Sequence, residues 1–451
     1  MKRIILCFYL VMLPLAAGHT EQFQEVSNEL TDAEKIYGLT LFWQEVNYSF
    51  VYFDQVPDLN WDSTFKAFIP QVLATENTYD YYRTLQRFAA LLNDGHTSVT
   101  MPQHYWDSLD RPKIGLLEMQ ERIYISNVDT SLKGVIPIGS EVIAVDKIPT
   151  AEYMATDVFP YYSSSTNHWL WYWCGFRMLA GRRDTEVELT YLTPARDTQV
   201  ISMVRNRAGL EWYPPLEYSK ELTEFRWIED SIAYVALNGF HDYKAVDEFE
   251  DYLSELKSAR GLIIDLRENG GGDTGIGARI LSHFTTDTLV GSTWKTREHR
   301  GAHKAWGRFD TLSATENRAY FEGKAWYNGS PYKHPPADSV ILTYPVVILM
   351  NHSTASAAED FLVMCDQLRN ISLVGEPSNG STGQPLQFDL PGGGRGHVCA
   401  KRDTYPDGRD FVGIGVQPDI LVEPSPQDVF SDNDVILQRA VSHLISVLVN
   451  D

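Results

Sequence analysis

Apolar residues recur at spacings of three and four along the first hundred positions, then at spacings of two, then in short continuous runs. Thr31-Asp32-Ala33-Glu34 is a helix-start signature, and Ile36, Leu39, Phe42, Trp43 and Val46 after it predict one helix. Asp62-Ser63 opens a second, carrying Phe65, Phe68, Ile69 and Leu73, and residues 82–92 form a third. Together they predict an N-terminal helical domain over residues 22–103, ending in Leu91-Leu92-Asn93-Asp94-Gly95-His96-Thr97. Between 112 and 206 the pattern changes to alternating runs such as 122–125 and 186–191, punctuated by turn residues. That is a β-rich module. Its aromatic stretch 155–183, with Trp169, Trp171 and Trp173, is expected to be a helical insertion whose rings serve mainly as core.

From 207 to 425 strands and helices alternate. Strands are predicted at 232–237, 261–266 and 345–350, and helices at 245–258, at 275–284 and after residue 356. The polar stretch 286–338 is expected to wrap the surface. Such alternation predicts an α/β core with helices on the sheet faces. Residues 426–451 close the chain with an amphipathic helix built on Val435, Ile436, Leu437, Ala440, Leu444 and Val447.

Composition narrows the function classes. The chain has 451 residues, 43% of them apolar and 22% charged, and a formal charge of −22. That acidity argues against a nucleic-acid partner and against docking on anionic lipid. Lys2-Arg3, the apolar run 4–15 and Ala16-Ala17-Gly18 read as an export signal over residues 1–18, which places the mature chain in the periplasm or outside the cell. No other stretch approaches the roughly 18 apolar residues of a membrane span, so no integral span is expected. Beyond the signal, Cys174, Cys365 and Cys399 remain; an odd count leaves one thiol unpaired, and Cys365 reads as a buried small hydrophobe. No CxxC or HExxH occurs, the twelve His have no metal-ligand spacing, and neither metal nor cofactor is expected. The sequence does not specify an oligomeric state.

Candidate chemistry centres on Ser356. An apolar strand ends at Met350, a helix begins after Thr354-Ala355-Ser356-Ala357-Ala358-Glu359, and the turn between them carries an exposed hydroxyl before the free N–H groups of a helix N-terminus. A helix cap would use the same residue. A nucleophilic Ser needs a base. Lys401 beside Arg402 suggests a solvated strand end, and His352 would have to fold back over its own turn. His96, in a polar loop, is the better candidate. A third element, Asp265-Leu266-Arg267-Glu268-Asn269-Gly270-Gly271-Gly272, puts three glycines after a buried strand, where backbone N–H groups can face a developing oxyanion. Gly270, Gly272 and Gly275 also fit a dinucleotide fingerprint, but three polar residues separate them from the strand, where that motif wants an immediate turn.

LNDGHT, LIIDLRENGGG, TASAAE, VGEPSNGSTGQ and PDG…GIGVQPDI stand in the order found in the tail-specific (C-terminal processing) and tricorn-type serine peptidases, and the chain resembles that family from about residue 31 to 424. The resemblance implies an α/β core of the crotonase/ClpP-like type, an N-terminal helical domain and a PDZ-like β-rich module. It implies Ser356 as nucleophile, with the N–H groups of Ala357 and Gly271 as oxyanion hole. The tail-specific branch places a Lys where this chain has Ser381; the tricorn-like branch uses a His that matches His96. Two positions depart from that branch: Gly95 replaces a Ser, and Ile414 replaces an orienting Glu. Asp94, Asp407, Ser381 or a backbone carbonyl could orient His96. The implied activity is endopeptidase cleavage of peptides or unfolded protein tails. The two departures leave a binding protein on the same scaffold, weak or silent in catalysis, as the alternative.

Overall fold

A computed structural model describes residues 29–216, 221–229, 231–310, 316–338 and 341–450. The export signal at 1–18 lies outside these residues. Three helices open the described chain: Asp32–Ser49, Trp61–Leu73 and Thr78–Ala90. Each begins at a side-chain cap, Thr31, Asn60 and Asn77, and Thr31 with Glu34 forms a reciprocal capping box. The third helix begins earlier than the apolar pattern suggests, because Asn77 caps it.

A six-stranded sheet organises the second half, in the order Thr223–Glu229, Ile232–Leu237, Gly261–Asp265, Val346–Met350, Ile371–Gly375, Ile420–Leu421. The first pair is antiparallel and the rest are parallel. Successive side chains leave a strand on opposite faces, which explains the continuous apolar runs: both faces are covered. Ala233, Val235, Leu262, Ile264, Val346 and Ile348 join a core that also contains Leu39, Phe42, Tyr81 and Phe88 of the N-terminal helices. Tyr234, Ile263, Val347 and Leu349 face the other way, onto Ile436, Ala440 and Leu444 of the terminal helix Val435–Asn450.

Residues between 114 and 204 have a core of their own, built on Ile123, Ile125, Val142, Val187 and Leu189 of an antiparallel sheet and on Trp171 and Cys174 of the helix Asn167–Arg177. That helix lies close against the strands Ile114–Met119 and Arg122–Asp129: a Cβ on Gly175 would come within 2.5 Å of Ile123 Cδ1 and 3.0 Å of Glu118 Cβ. The stretch 286–338 is more ordered than its polarity suggests. Thr293–Arg297 pairs with Trp326–Gly329 and with Arg402–Thr404, partners too distant in sequence for local patterning to reveal. The helix expected over 245–258 divides into Lys244–Asp251 and Leu253–Leu256. Cys174, Cys365 and Cys399 are all buried free thiols.

Candidate active site

The strand Val346–Met350 is wholly buried between parallel neighbours, and the chain turns at its carboxyl end into the helix Ala357–Cys365. Open α/β sheets bind ligands at that end. Ser356 sits at the turn with φ +56° and ψ −122°. A non-glycine residue there is strained by about 1–3 kcal/mol, the sort of outlier that a strand–turn–helix nucleophile position holds.

Glu359 stabilises the turn. Fully buried, its carboxylate accepts Ser356 N–H at 3.1 Å, Gly380 N–H at 2.7 Å, Ser381 N–H at 3.1 Å, Thr382 Oγ1 at 2.9 Å and Ser378 Oγ at 2.5 Å. Burial pushes its carboxyl above the ordinary range although these hydrogen bonds pull it down. One carboxylate thus joins the Ser356 turn to the loop 378–382. Its spacing from Ser356, Ser-x-x-Glu, is a capping-box signature that the sequence carries without naming this second task.

The same loop holds the imidazole. His96 Nδ1 lies 2.7 Å from Ser381 Oγ. His96 follows the helix Thr78–Ala90 and precedes the short strand Ser98–Thr100, which pairs with Arg395–Cys399. Thr97 pins the loop: its hydroxyl donates to Asp94 Oδ2 at 2.5 Å and accepts Cys399 N–H at 3.0 Å. Burial lowers the His96 pKa; the nearby Asp94 carboxylate opposes that shift and Lys401 adds to it. Asp94, itself buried, is pushed up by loss of solvent.

The glycine run meets Ser356 closely. Gly271 has φ +104°, and a Cβ there would fall 2.7 Å from Ser356 Cβ and 3.0 Å from Ala357 N. Asn269 ties the two segments together: its carbonyl accepts Ala355 N–H at 3.1 Å, and its side-chain oxygen accepts Gly271 N–H at 3.0 Å. The Gly271 amide expected to serve an oxyanion is therefore occupied by Asn269 here, whereas Ala357 N–H has no acceptor among the described residues.

Of the possible orienting groups, Ser381 contacts the His96 ring and Asp94 neighbours it, but Asp407 does not join them. Its carboxylate is taken by Arg409, at 3.0 Å from the amide and 2.7 Å from Nε. Ile414 is exposed. His352 is turned away, stacked on His168 with ring centroids 4.4 Å apart and Nδ1 at 2.9 Å from Pro377 O. Among the described residues no hydrogen bond links His96 to Ser356, and no group of three or more His, Cys, Asp or Glu is placed to hold a metal ion. No described helix is long and apolar enough to cross a membrane.

A separate cavity of about 740 Å³ opens between the strand Ile114–Met119, the helix Asn167–Arg177 and the carboxyl ends of the core strands. Glu118, Trp171, Tyr172, Glu268, His352 and Glu376 line part of it.

Residues 231–422, which hold five of the six strands of the core sheet and the Ser356 and glycine turns, match the profile of peptidase family S41. A carboxyl-terminal-processing protease of a Picosynechococcus species is 24% identical over 432 residues, covering 93% of this chain and 90% of that one. One from a Synechocystis species is 24% identical over 422 residues, covering 92% and 87%. The crystal structure of mature CPAF superposes with a TM-score of 0.71 at 14% identity, over 93% of this chain and 98% of that one. The match to peptidase family S41 thus lies in residues 231–422, and the chain is a serine-type peptidase.

Proposed function

We propose that this protein is an exported serine endopeptidase that cleaves peptides or unfolded protein tails through an acyl-enzyme on Ser356, with His96 as general base. The observation that carries this reading is the shared Glu359: the turn bearing Ser356 and the loop whose Ser381 touches His96 hang on one buried carboxylate. If the His96 Nδ1–H donates to Ser381 Oγ, Nε2 keeps its lone pair for the Ser356 proton. Ser356 Oγ then attacks the peptide carbonyl. Ala357 N–H meets the oxyanion, and Gly271 N–H joins it by leaving Asn269. His96 passes the proton to the departing amine, and water releases the acyl group. In this reading residues 112–206 act as a PDZ-like module, and the cavity between module and core receives an extended peptide beside the strand Ile114–Met119. The crotonase/ClpP-like core spans 207–425, and the helical domain of residues 22–103 supplies the base.

A fluorophosphonate probe tests the proposal. Ser356 should be labelled, and a His96→Ala variant should not. The second reading, a ligand-binding scaffold with silent chemistry, is favoured by the occupied Gly271 amide and predicts no labelling of either chain.

A further inference from the structure

His96 is held by a segment from outside the core. Ser165 lies just before the helix Asn167–Arg177 of the β-rich unit. Its Oγ accepts Gly95 N–H at 2.9 Å and reaches Asp94 Oδ1, to which it donates, at 3.3 Å. Its neighbours grip the opposite side of the site. Thr166 Oγ1 donates to Asn379 O at 2.7 Å, and His168 Nε2 lies 2.7 Å from Ser378 O. Within four consecutive residues, Ser165 touches the loop that presents His96, and Thr166 and His168 touch the loop that presents Ser381. A short, hydrogen-bonded stretch spanning two loops fixes the separation between them.

Resting on the peptidase reading, we propose that Ser165 is a positioning residue for the catalytic base, contributed by the β-rich unit. Gly95 has no side chain, and glycine tolerates many backbone conformations, so the peptide before His96 has little intrinsic preference. A Cβ at residue 95 would fall 2.6 Å from Ser381 Oγ, which excludes a self-orienting side chain there. Orientation of that peptide must come from its hydrogen bonds. Ser165 supplies the acceptor for Gly95 N–H, and its own proton goes to the carboxylate of Asp94, the residue that Thr97 holds from the other side. The result is a continuous series of contacts, Ser165 to Asp94 to Thr97 to the Cys399 amide, across one turn of chain.

The test uses the full chain with Ser165→Ala, Ser165→Thr and Ser164→Ala. Among the described residues the Ser164 hydroxyl donates to the Thr166 carbonyl, at 2.8 Å, and serves as the local control. Fluorophosphonate inactivation at Ser356 is resolved into kinact and KI, and amide hydrogen exchange is followed across 93–97. For Ser165→Ala, kinact should fall about tenfold to hundredfold, the scale of an ångström-sized misplacement of a catalytic group, with KI and the thermal midpoint unchanged. Exchange at 93–97 should accelerate. Ser165→Thr should restore both readouts, and Ser164→Ala should match the wild type. A wild-type kinact in Ser165→Ala overturns the proposal even if exchange changes, because the contact is then structural only. If the wild type itself is not labelled, the peptidase reading fails, and unchanged exchange at 93–97 in Ser165→Ala would overturn the positioning role on its own.

Discussion

Gly95 and Ser381 exclude one another's side chains: a Cβ on Gly95 would lie 2.6 Å from the Ser381 oxygen that sits 2.7 Å from His96 Nδ1. In the proposed mechanism the hydroxyl that Gly95 lacks is supplied by Ser381, and the two positions are sterically coupled. Ser381→Ala should fold normally and lose about tenfold in fluorophosphonate inactivation rate, the worth of one neutral hydrogen bond near 1.4 kcal/mol. Gly95→Ala should lose at least as much by driving Ser381 off the ring, and adding Ser381→Gly, which removes the same hydroxyl, should cost little more. Additive losses in the double variant would break the proposed coupling.

The site was legible in sequence where its geometry is local, and only through motif resemblance where it is not. The Ser356 turn announces itself, because an apolar strand, a small-residue turn and an apolar helix follow one another within twenty positions. His96 has no such signal, since nothing periodic connects it to a hydroxyl 260 positions later. Ser381 was one of several equal candidates to orient it. Glu359 could be read as a cap, but four of its five donors come from a loop beyond the next strand. Ser165 sits in a run of three serines that carries no pattern at all. The fold behaves likewise. The buried parallel strands are plain in the runs 232–237 and 345–350, whereas the pairing of Thr293–Arg297 with Arg402–Thr404 depends on a partner a hundred residues away.

Strain at Ser356 predicts a difference between two inactive variants. Both Ser356→Ala and Ser356→Gly remove the hydroxyl, but only glycine is at ease at φ +56°, ψ −122°. Urea unfolding should therefore show Ser356→Gly more stable than Ser356→Ala by about 1 kcal/mol, against the usual cost of a flexible glycine. Equal stability would mean that the turn is not strained.

Glu359 should matter to both stability and labelling. Replacing it with Ala leaves five buried or part-buried donors without their acceptor. At about 1 kcal/mol or more for each group left unsatisfied, the expected loss is at least roughly 3 kcal/mol by chemical denaturation. Gln keeps the volume but sets an amide nitrogen against donors, so Glu359→Gln should also slow labelling of Ser356.

His96 predicts the acid limb of the pH profile. Burial lowers its pKa, Lys401 adds to the effect, and Asp94 only partly offsets it. The imidazole is then neutral, and able to accept a proton, at a lower pH than a solvated histidine with its pKa near 6.5. The rate of Ser356 inactivation should rise with pH and reach half its plateau below about pH 6.5. A midpoint at or above that value would mean either a different base or an imidazole stabilised in its charged form.

Glu118 and Glu376 face the cavity between the β-rich unit and the core, and burial pushes each carboxyl up to about 7; the charge of Glu376 further raises Glu118, and Glu423 raises Glu376. Unfolded, a glutamate titrates near about 4.3. The folded state therefore holds more protons than the unfolded state between those values, and stability falls as pH rises through that window. Below it the burial is uncharged and costs little; above about pH 7 the loss is complete. Glu118→Gln removes one of the two titrations while keeping an oxygen for the Glu121 N–H, now accepted at 2.7 Å. The variant should gain roughly 2 kcal/mol over the wild type in urea unfolding at pH 8 and almost nothing at pH 5. An equal gain at both values would trace the effect to packing rather than to charge, and would leave the contact between unit and core insensitive to pH.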